Sequence, residues 1–186
     1  MCITLLHSIS TIPSLEDIPL SAQYSSTTIT SATRMDIDEL VRMFEHLHQF
    51  NASLNEQFTL AEDWEQVLRQ QLQSSHGEEH TAIWIARVSD IAAGFIMVEQ
   101  RHGSPLFAQQ HWAEISGIYV EPASRGSDVS HCLITHAYDW AAERGLDDIR
   151  LYVTANNDRA RAFYQTEGFL HIQEVWTRPI GSEGET

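Results

Sequence analysis

Lysine is absent from this sequence: all 11 basic residues are arginine, against 26 aspartate and glutamate residues. The formal net charge at pH 7 is −15. A field of that sign repels phosphate backbones, and no basic stripe with interleaved aromatic residues is present. We therefore expect neither nucleic acid nor an anionic membrane as a partner. An acidic cleft would attract a cationic small molecule, or the acidity serves solubility alone.

Cysteine and long apolar runs are also scarce. Cys2 and Cys132 lie far apart and lack the spacing of metal ligands. No stretch reaches the roughly 18 consecutive apolar residues of a membrane helix, and the first ten residues lack the regions of a signal peptide. We expect a soluble, cytoplasmic protein with reduced thiols.

The length of 186 residues fits one globular domain. Residues 1–26 contain Pro13 and Pro19 without sustained periodicity, which predicts a loosely packed arm. Residues 27–180 form the predicted single domain, and residues 181–186 form an acidic, flexible tail.

Hydrophobic periodicity predicts the elements of this domain. The predicted strands are 27–33, 81–88, 91–101, 113–120, 148–155 and 169–176. The predicted helices are 35–50, 60–72, 127–145 and 157–168. This order combines hairpins with strand–helix–strand crossovers, so we expect an α/β chain of the α+β type, with helices packed on a mixed sheet.

Two segments carry the functional signal. VEPASRGSDVS (120–130) joins a strand to a helix, where free backbone N–H groups at the helix N-terminus can hold phosphate. NDRARAFYQTEGF (157–169) places small, aromatic and glycine residues at the spacing of a helix followed by a strand.

Together these segments resemble the GNAT N-acetyltransferases, whose patterns are V-x-P-x-x-R-G-x-G-x-G/A and N-x-x-A-x-x-F-Y-x-x-x-G-F. The resemblance covers roughly residues 27–178. It implies a mostly antiparallel sheet that splays between its fourth and fifth strands, and acetyl-CoA as the acyl donor bound in that gap. The cofactor-binding residues that it implies are Ile118, Tyr119 and Val120 for pantetheine, and Arg125, Gly126, Ser127, Asp128, Val129 and Ser130 for pyrophosphate.

The phosphate-binding loop departs from the family pattern at two positions. Asp128 stands where the family has its second glycine, and Ser130 stands where it has glycine or alanine. A side chain at position 128 opposes close approach of phosphate sterically, and a carboxylate opposes it electrostatically. Ser127 and Asp128 could also satisfy the free amides of the helix themselves.

The resemblance assigns roles to three further residues. Tyr164 matches the tyrosine that protonates the departing thiolate, and its alternative is a half-buried packing aromatic. Glu114 matches the glutamate that deprotonates the ammonium, with shielding by Trp112, and its alternative is a solvent-facing strand residue. Asn157 matches the residue that binds the pantetheine amide, or it caps the following helix.

A metal site is not expected. No HExxH motif or Cys/His ligand set is present, and His46 and His48 point about 200° apart on one helix. In the family the acceptor amine is bound by the first two helices. An ammonium could there be framed by acidic and aromatic side chains: Glu45, Glu56, Glu62, Asp63, Phe50, Phe58 and Trp64. The alternative is a helix pair with a solvated acidic face.

The resemblance therefore implies direct acetyl transfer from acetyl-CoA to a primary amine of a small molecule or peptide, without a metal. The alternative is a protein of the same fold that binds an amine ligand or a protein partner and has weakened or lost acetyl-CoA use. Dimers are frequent in the family, so a homodimer is open.

Overall fold

The computed structural model describes residues 27–75, 77–178 and 180. The predicted arm (1–26) and tail (181–186) lie outside the described residues. Within the described part of the chain, no helix is both long and apolar enough to cross a membrane.

A five-stranded sheet forms the centre of the fold, with its strands in chain order across the sheet. The first four strands pair antiparallel, and the fourth and fifth pair parallel. The expected mixed, mostly antiparallel sheet is thus confirmed. The strands are β1 (Thr27–Ser31), β2 (Thr81–Val88), β3 (Ile91–His102), β4 (His111–Val120) and β5 (Asp148–Leu151).

Four helices cover the two faces of the sheet. They are α1 (Ile37–Leu54), α2 (Trp64–Ser74), α3 (Val129–Glu143) and α4 (Asp158–Thr166). Alternate strand residues face opposite sides. Phe95 packs under α1 and α2 with Leu40, Met43 and Leu68. Its neighbour Ile96 packs under α3 with Leu133.

Local sequence signals explain the element boundaries well. Ser89 and Asp90 adopt positive φ values of 51° and 65°, which closes the β2–β3 hairpin at the predicted turn. The start of α1 shows a signal that the sequence reading missed. Thr33 and Asp36 form a capping box around the single 3-10 turn Arg34–Asp36 that leads into α1, and the Asp36 carboxylate accepts a 2.7 Å bond from the Thr33 N–H.

The predicted strand at 169–176 is wrong. These residues are described without strand pairing, and four of their large apolar side chains are exposed. The segment has strand-like composition, but a strand exists only with a partner, and local alternation does not encode one. The fifth strand also ends early, at Leu151 instead of residue 155, because its pairing with β4 stops there.

Candidate active site

A gap opens between β4 and β5. The parallel pairing runs from Trp112–Asp148 to Ile115–Leu151, whereas β4 continues to Val120. Met97 pairs with Gly117 and Val98 with Ile115, so Ser116 is the extra residue of a β-bulge at the point where the strands separate. The expected splay between the fourth and fifth strands is present.

The backbone of β4 presents polar groups to this gap. Glu121 N–H donates to Ala93 C=O on β3. Hydrogen-bonding direction alternates along a strand, so Ile118 and Val120 direct their N–H and C=O groups away from β3 and toward the gap. The predicted pantetheine-binding edge is therefore available to an extended ligand with amide groups, although the Nε of Arg125 already donates to the Val120 carbonyl at 3.0 Å.

The loop after β4 leads directly into the N-terminus of α3. Gly126 has φ +86°, a conformation that L side chains rarely adopt, and an added Cβ would meet no atom within 4 Å. The backbone N–H groups of Ser130 and His131 donate to no group in the described residues. Together with the helix dipole, these amides favour an anion at this position.

Asp128 does not cap α3, contrary to one of the two expectations. Its carboxylate makes no capping bond to α3 and instead accepts a 2.9 Å hydrogen bond from the hydroxyl of Thr27 on β1. Ser127 does act as a weak cap, since its Oγ accepts from Val129 N–H at 3.4 Å. The Asp128 carboxylate therefore does not occupy the free amides of Ser130 and His131. Its negative charge is what opposes the binding of phosphate in this loop.

Cys132 lies one turn into α3 beside the same carboxylate. Burial and, secondly, the negative charge of Asp128 raise the pKa of the Cys132 thiol. The carboxylate thus has one partner on β1 and a second on α3, which hold it at the rim of the loop.

Tyr164 lies on α4 among aromatic side chains. Its ring centroid is 5.5 Å from that of Phe163 and 5.7 Å from that of Phe169, and it packs against the core cluster that includes Val129 and Leu133. Burial raises the pKa of Tyr164 to about 12. The phenol therefore stays protonated at neutral pH and can donate a hydrogen bond there.

Asn157 caps α4. Its Oδ1 accepts a 3.2 Å bond from the N–H of Ala160, so the capping alternative is confirmed. The amide nitrogen of its side chain is not used in this bond and can still donate to a ligand.

Glu114 faces the side of the sheet opposite α3. Its neighbours Ala113 and Ile115 pack toward α3, and side chains alternate along a strand. Its Oε1 lies 3.2 Å from Nη2 of Arg101, which also contacts Glu99 at 2.9 Å. The sequence reading missed this cross-strand arginine. The ring of Trp112, the expected shielding partner, stacks 4.1 Å from the guanidinium of Arg150.

The α1–α2 side of the molecule holds an open cavity of about 300 Å³. Three of the seven predicted acceptor-binding residues line it: Glu45, Glu62 and Trp64. Phe50 and Phe58 lie outside its lining and are 43% and 41% exposed.

The sequence reading missed His48, which also lines the cavity and packs on Phe44 at 4.3 Å between ring centroids. Burial lowers the pKa of His48, which keeps the ring neutral beside the two carboxylates. The three-to-four residue spacing of Phe44, Glu45 and His48 along α1 was the signal that could have found it.

Among residues 27–75, 77–178 and 180, no group of three or more histidine, cysteine, aspartate or glutamate side chains is arranged to hold a metal ion.

Sequence comparison finds relatives with acetyltransferase names. A mycothiol acetyltransferase of Beutenbergia cavernae is 39% identical over 59 residues, which are 32% of this chain and 20% of that protein. An uncharacterized N-acetyltransferase of Methanocaldococcus jannaschii is 23% identical over 155 residues, 82% of this chain and 66% of that protein. The chain thus spans one fifth of the first relative and just under two thirds of the second.

Solved structures share the fold. A mutant of the BH1408 protein of Bacillus halodurans superimposes with a TM-score of 0.74 at 19% identity, covering 82% of this chain and 99% of that chain. An aminoglycoside N-acetyltransferase, AAC(6')-Iy, in complex with CoA superimposes with a TM-score of 0.71 at 17% identity, covering 87% and 99%.

The model of the acetyltransferase (GNAT) family matches residues 42–169, which is more than half of the chain and includes β4, the loop after it and α4. The chain belongs to the GNAT acetyltransferase family.

Proposed function

We propose that this protein transfers an acetyl group from acetyl-CoA to the nitrogen of a cationic small-molecule amine. The observation that carries the proposal is the edge of β4 at Ile118 and Val120, which has no strand partner in the described residues and is followed in the chain by the free amides of Ser130 and His131 at the N-terminus of α3. The gap supplies an open strand edge for an extended chain with amide groups, and the helix start supplies donors for phosphate.

The residues of the gap fit acetyl-CoA. Gly126 leaves open space in front of the loop, and the backbone of Ile118 and Val120 offers strand-like hydrogen bonds. Ser127, Val129 and Ser130 contribute their backbone to the loop, and Asn157 has a free amide donor. When bound there, acetyl-CoA supplies the acetyl thioester.

Tyr164 acts in this proposal as the donor to the departing sulfur. Its pKa of about 12 keeps the hydroxyl protonated, and its ring packs against the same core cluster as Ile118. A phenol so weakly acidic stabilises the developing negative charge on sulfur by donating a hydrogen bond. Complete proton transfer is unfavourable, because a free thiol has a pKa near 8.5, and the CoA sulfur leaves as a hydrogen-bonded thiolate.

Glu114 is the proposed base for the acceptor ammonium. It lies on the same side of the sheet as α1 and the cavity lined by Glu45, Glu62, Trp64 and His48. Arg101 holds Glu114 in an ion pair, so an incoming ammonium has to compete with Arg101 for that carboxylate. The cavity's carboxylates and neutral histidine favour a cationic acceptor. Aminoglycoside acetyltransferases among the structural neighbours support an amine acceptor.

The experiment is calorimetric titration with acetyl-CoA, followed by measurement of free CoA thiol released with a panel of small amines. We expect micromolar binding and thiol release with at least one polycationic amine. Binding without release across the panel would contradict the acceptor assignment alone, whereas no binding at millimolar acetyl-CoA would contradict the donor site.

A second function, ligand or partner binding with weak or lost acetyl-CoA use, is favoured by the charge of Asp128 alone. Asp128→Asn removes this charge and keeps the shape. If Asp128 is an obstacle, the variant binds acetyl-CoA about tenfold more tightly, since a like charge near phosphate costs about 1 to 3 kcal/mol at intermediate dielectric. Asp139→Asn, on the exposed side of the same helix, is the matched control.

A further inference from the structure

His102 and His111 face each other at the end of the sheet where β3 stops and β4 starts. They are partners in the β3–β4 register, and both are exposed. Their Nδ1 atoms are 2.8 Å apart, and their ring centroids are 4.9 Å apart with the ring planes at 87°. A neutral imidazole has one donor nitrogen and one acceptor nitrogen, so one proton joins the two Nδ1 atoms. At least one Nδ1 lone pair is therefore aimed at the partner ring.

The separation of these two nitrogens is close to that of two ligands on one metal ion. A bond from zinc to imidazole is about 2.0 to 2.1 Å long, so two nitrogens on the same ion lie about 2.9 to 3.4 Å apart in right-angled and tetrahedral arrangements. The Nδ1–Nδ1 distance of 2.8 Å lies just below this range. A small rotation of the rings lets an ion take the place of the shared proton, and each ring then carries its own proton on Nε2.

The backbone around the pair is held on both sides of β4. The N–H of Gly103 donates to the carbonyl of Gln110 at 2.7 Å, which closes the loop 103–110 next to the two histidines. On the β5 side, the N–H of Asp147 donates to the His111 carbonyl at 3.0 Å, and the Asp147 carboxylate accepts from the His111 N–H at 3.3 Å. Ligands held in this way lose little freedom when they bind an ion, which favours affinity.

The ligand type selects the class of ion. Imidazole nitrogen suits Cu²⁺, Ni²⁺ and Zn²⁺, whereas Mg²⁺ and Ca²⁺ prefer oxygen ligands. The Asp147 carboxylate at the His111 N–H and the formal net charge of −15 attract a cation to this end of the sheet. Across the part of the chain that the structure describes, no third histidine, cysteine or carboxylate completes a ligand set, so water fills the other positions.

We propose that His102 and His111 form a site for one divalent transition-metal ion, bound through the two Nδ1 atoms and completed by water. The ion joins the end of β3 to the start of β4 at the base of the loop 103–110 and stabilises this hairpin. The site lies about 30 Å along β4 from Val120, at nine residue steps of about 3.3 Å. The proposal does not depend on acetyl transfer, because the site is remote from the gap between β4 and β5.

The test is calorimetric titration of untagged protein, freed of metal by a chelator, with ZnCl₂ and with NiCl₂. We expect one ion per chain with a Kd of about 1 to 200 µM, since two protein ligands supply about half the binding free energy of a four-ligand zinc site. Zn²⁺ should also raise the melting temperature, because it binds the folded chain in preference to the unfolded chain. MgCl₂ is the control salt and should give no binding in this range.

His102→Gln and His111→Gln each remove one ligand and should weaken Zn²⁺ binding by about tenfold or more. Both side chains are exposed, so the circular dichroism spectrum of each variant should match that of the wild type. His136→Gln, at an exposed position on α3, is the matched control and should bind Zn²⁺ like the wild type.

A wild-type protein that binds neither Zn²⁺ nor Ni²⁺ would overturn the proposal and leave the two rings joined by a proton alone. Wild-type affinity for Zn²⁺ in both glutamine variants would also overturn it, because other groups of the chain would then hold the ion. Equal affinities for Mg²⁺ and Zn²⁺ would do the same, since the acidic surface would then attract both ions without imidazole ligation.

Discussion

At the scale of single residues, the role of the Tyr164 hydroxyl can be tested separately from the packing of its ring. The ring packs between Phe163 and Phe169, and phenylalanine would keep that packing. We expect Tyr164→Phe to lower kcat by about 10- to 1000-fold with acetyl-CoA affinity kept within about twofold. Initial rates and calorimetry measure the two quantities.

The control for this variant is Tyr138→Phe, an exposed tyrosine on α3. Because the pKa of Tyr164 is about 12, phenol ionisation should not reduce the rate of the wild-type enzyme below about pH 10. A Tyr164→Phe variant with unchanged kcat would remove Tyr164 from the donor role.

His48 makes stability depend on pH. Burial lowers its pKa in the folded chain, whereas in the unfolded chain the imidazole takes up a proton near pH 6.5. The unfolded state therefore binds more protons as the pH falls, and the free energy of unfolding decreases on acidification through that value. Urea denaturation at pH 7.5 and 5.5 should show this decrease, and His48→Gln should show a smaller one. An equal decrease in His48→Gln would refute the assignment, and His136→Gln, exposed on α3, is the control.

Several single-residue roles follow from sequence and others do not. The cap formed by Asn157 is local, so the sequence predicts it. The bond from Thr27 to Asp128 joins residues 101 positions apart, and the ion pair of Arg101 with Glu114 depends on the register of two strands. Neither contact leaves a local signal, which is why the sequence reading could not predict the partner of Asp128 or that of Glu114.

At the scale of elements, α3 has a glycine in the left-handed region at each end. Gly126 and Gly145 have φ values of +86° and +62°, and an added Cβ meets nothing within 4 Å at either position. Alanine at each position should therefore cost about 1 kcal/mol of stability through backbone strain alone. Urea midpoints measure this loss.

The two glycines should differ in their effect on ligand binding. Gly126 lies in the loop in front of the free amides, and Gly145 lies at the opposite end of the helix. We expect Gly126→Ala to weaken acetyl-CoA binding about tenfold or more and Gly145→Ala to leave it unchanged. Equal affinities for the two variants would mean that the loop does not hold the phosphates.

The predicted boundaries agree best with the structure where turn-forming residues bound the element. The β2–β3 hairpin is closed by Ser89 and Asp90, and its strands begin where predicted. The segment at 169–176 has the composition of a strand but lacks the partner that would make it one. Hydrophobic periodicity predicts which side chains prefer burial. It does not predict which strand at the edge of the sheet is available to pair with the segment.

At the scale of the whole molecule, a charge of −15 acts on a ligand that carries several negative phosphates. Added salt screens the long-range repulsion between the protein and acetyl-CoA. The Debye length falls from about 20 Å to about 7 Å as the ionic strength rises from 0.02 M to 0.2 M. We expect the Kd for acetyl-CoA to fall by about two- to fivefold over this range, measured by calorimetry. A neutral acetyl thioester of N-acetylcysteamine is the control and should show no trend. A Kd for acetyl-CoA that rises with salt would mean that Arg125 dominates the phosphate site.

The placement of Cys132 beside Asp128 has a practical consequence for chemical probing. Burial and, secondly, the Asp128 carboxylate suppress the thiolate form of Cys132, and thiolate is the form that alkylating reagents attack. The alkylation rate of this cysteine is therefore a readout of where the Asp128 carboxylate lies. Any event that draws the carboxylate away, including its displacement by an arriving phosphate, should be visible as faster labelling of a residue that itself takes no part in the reaction.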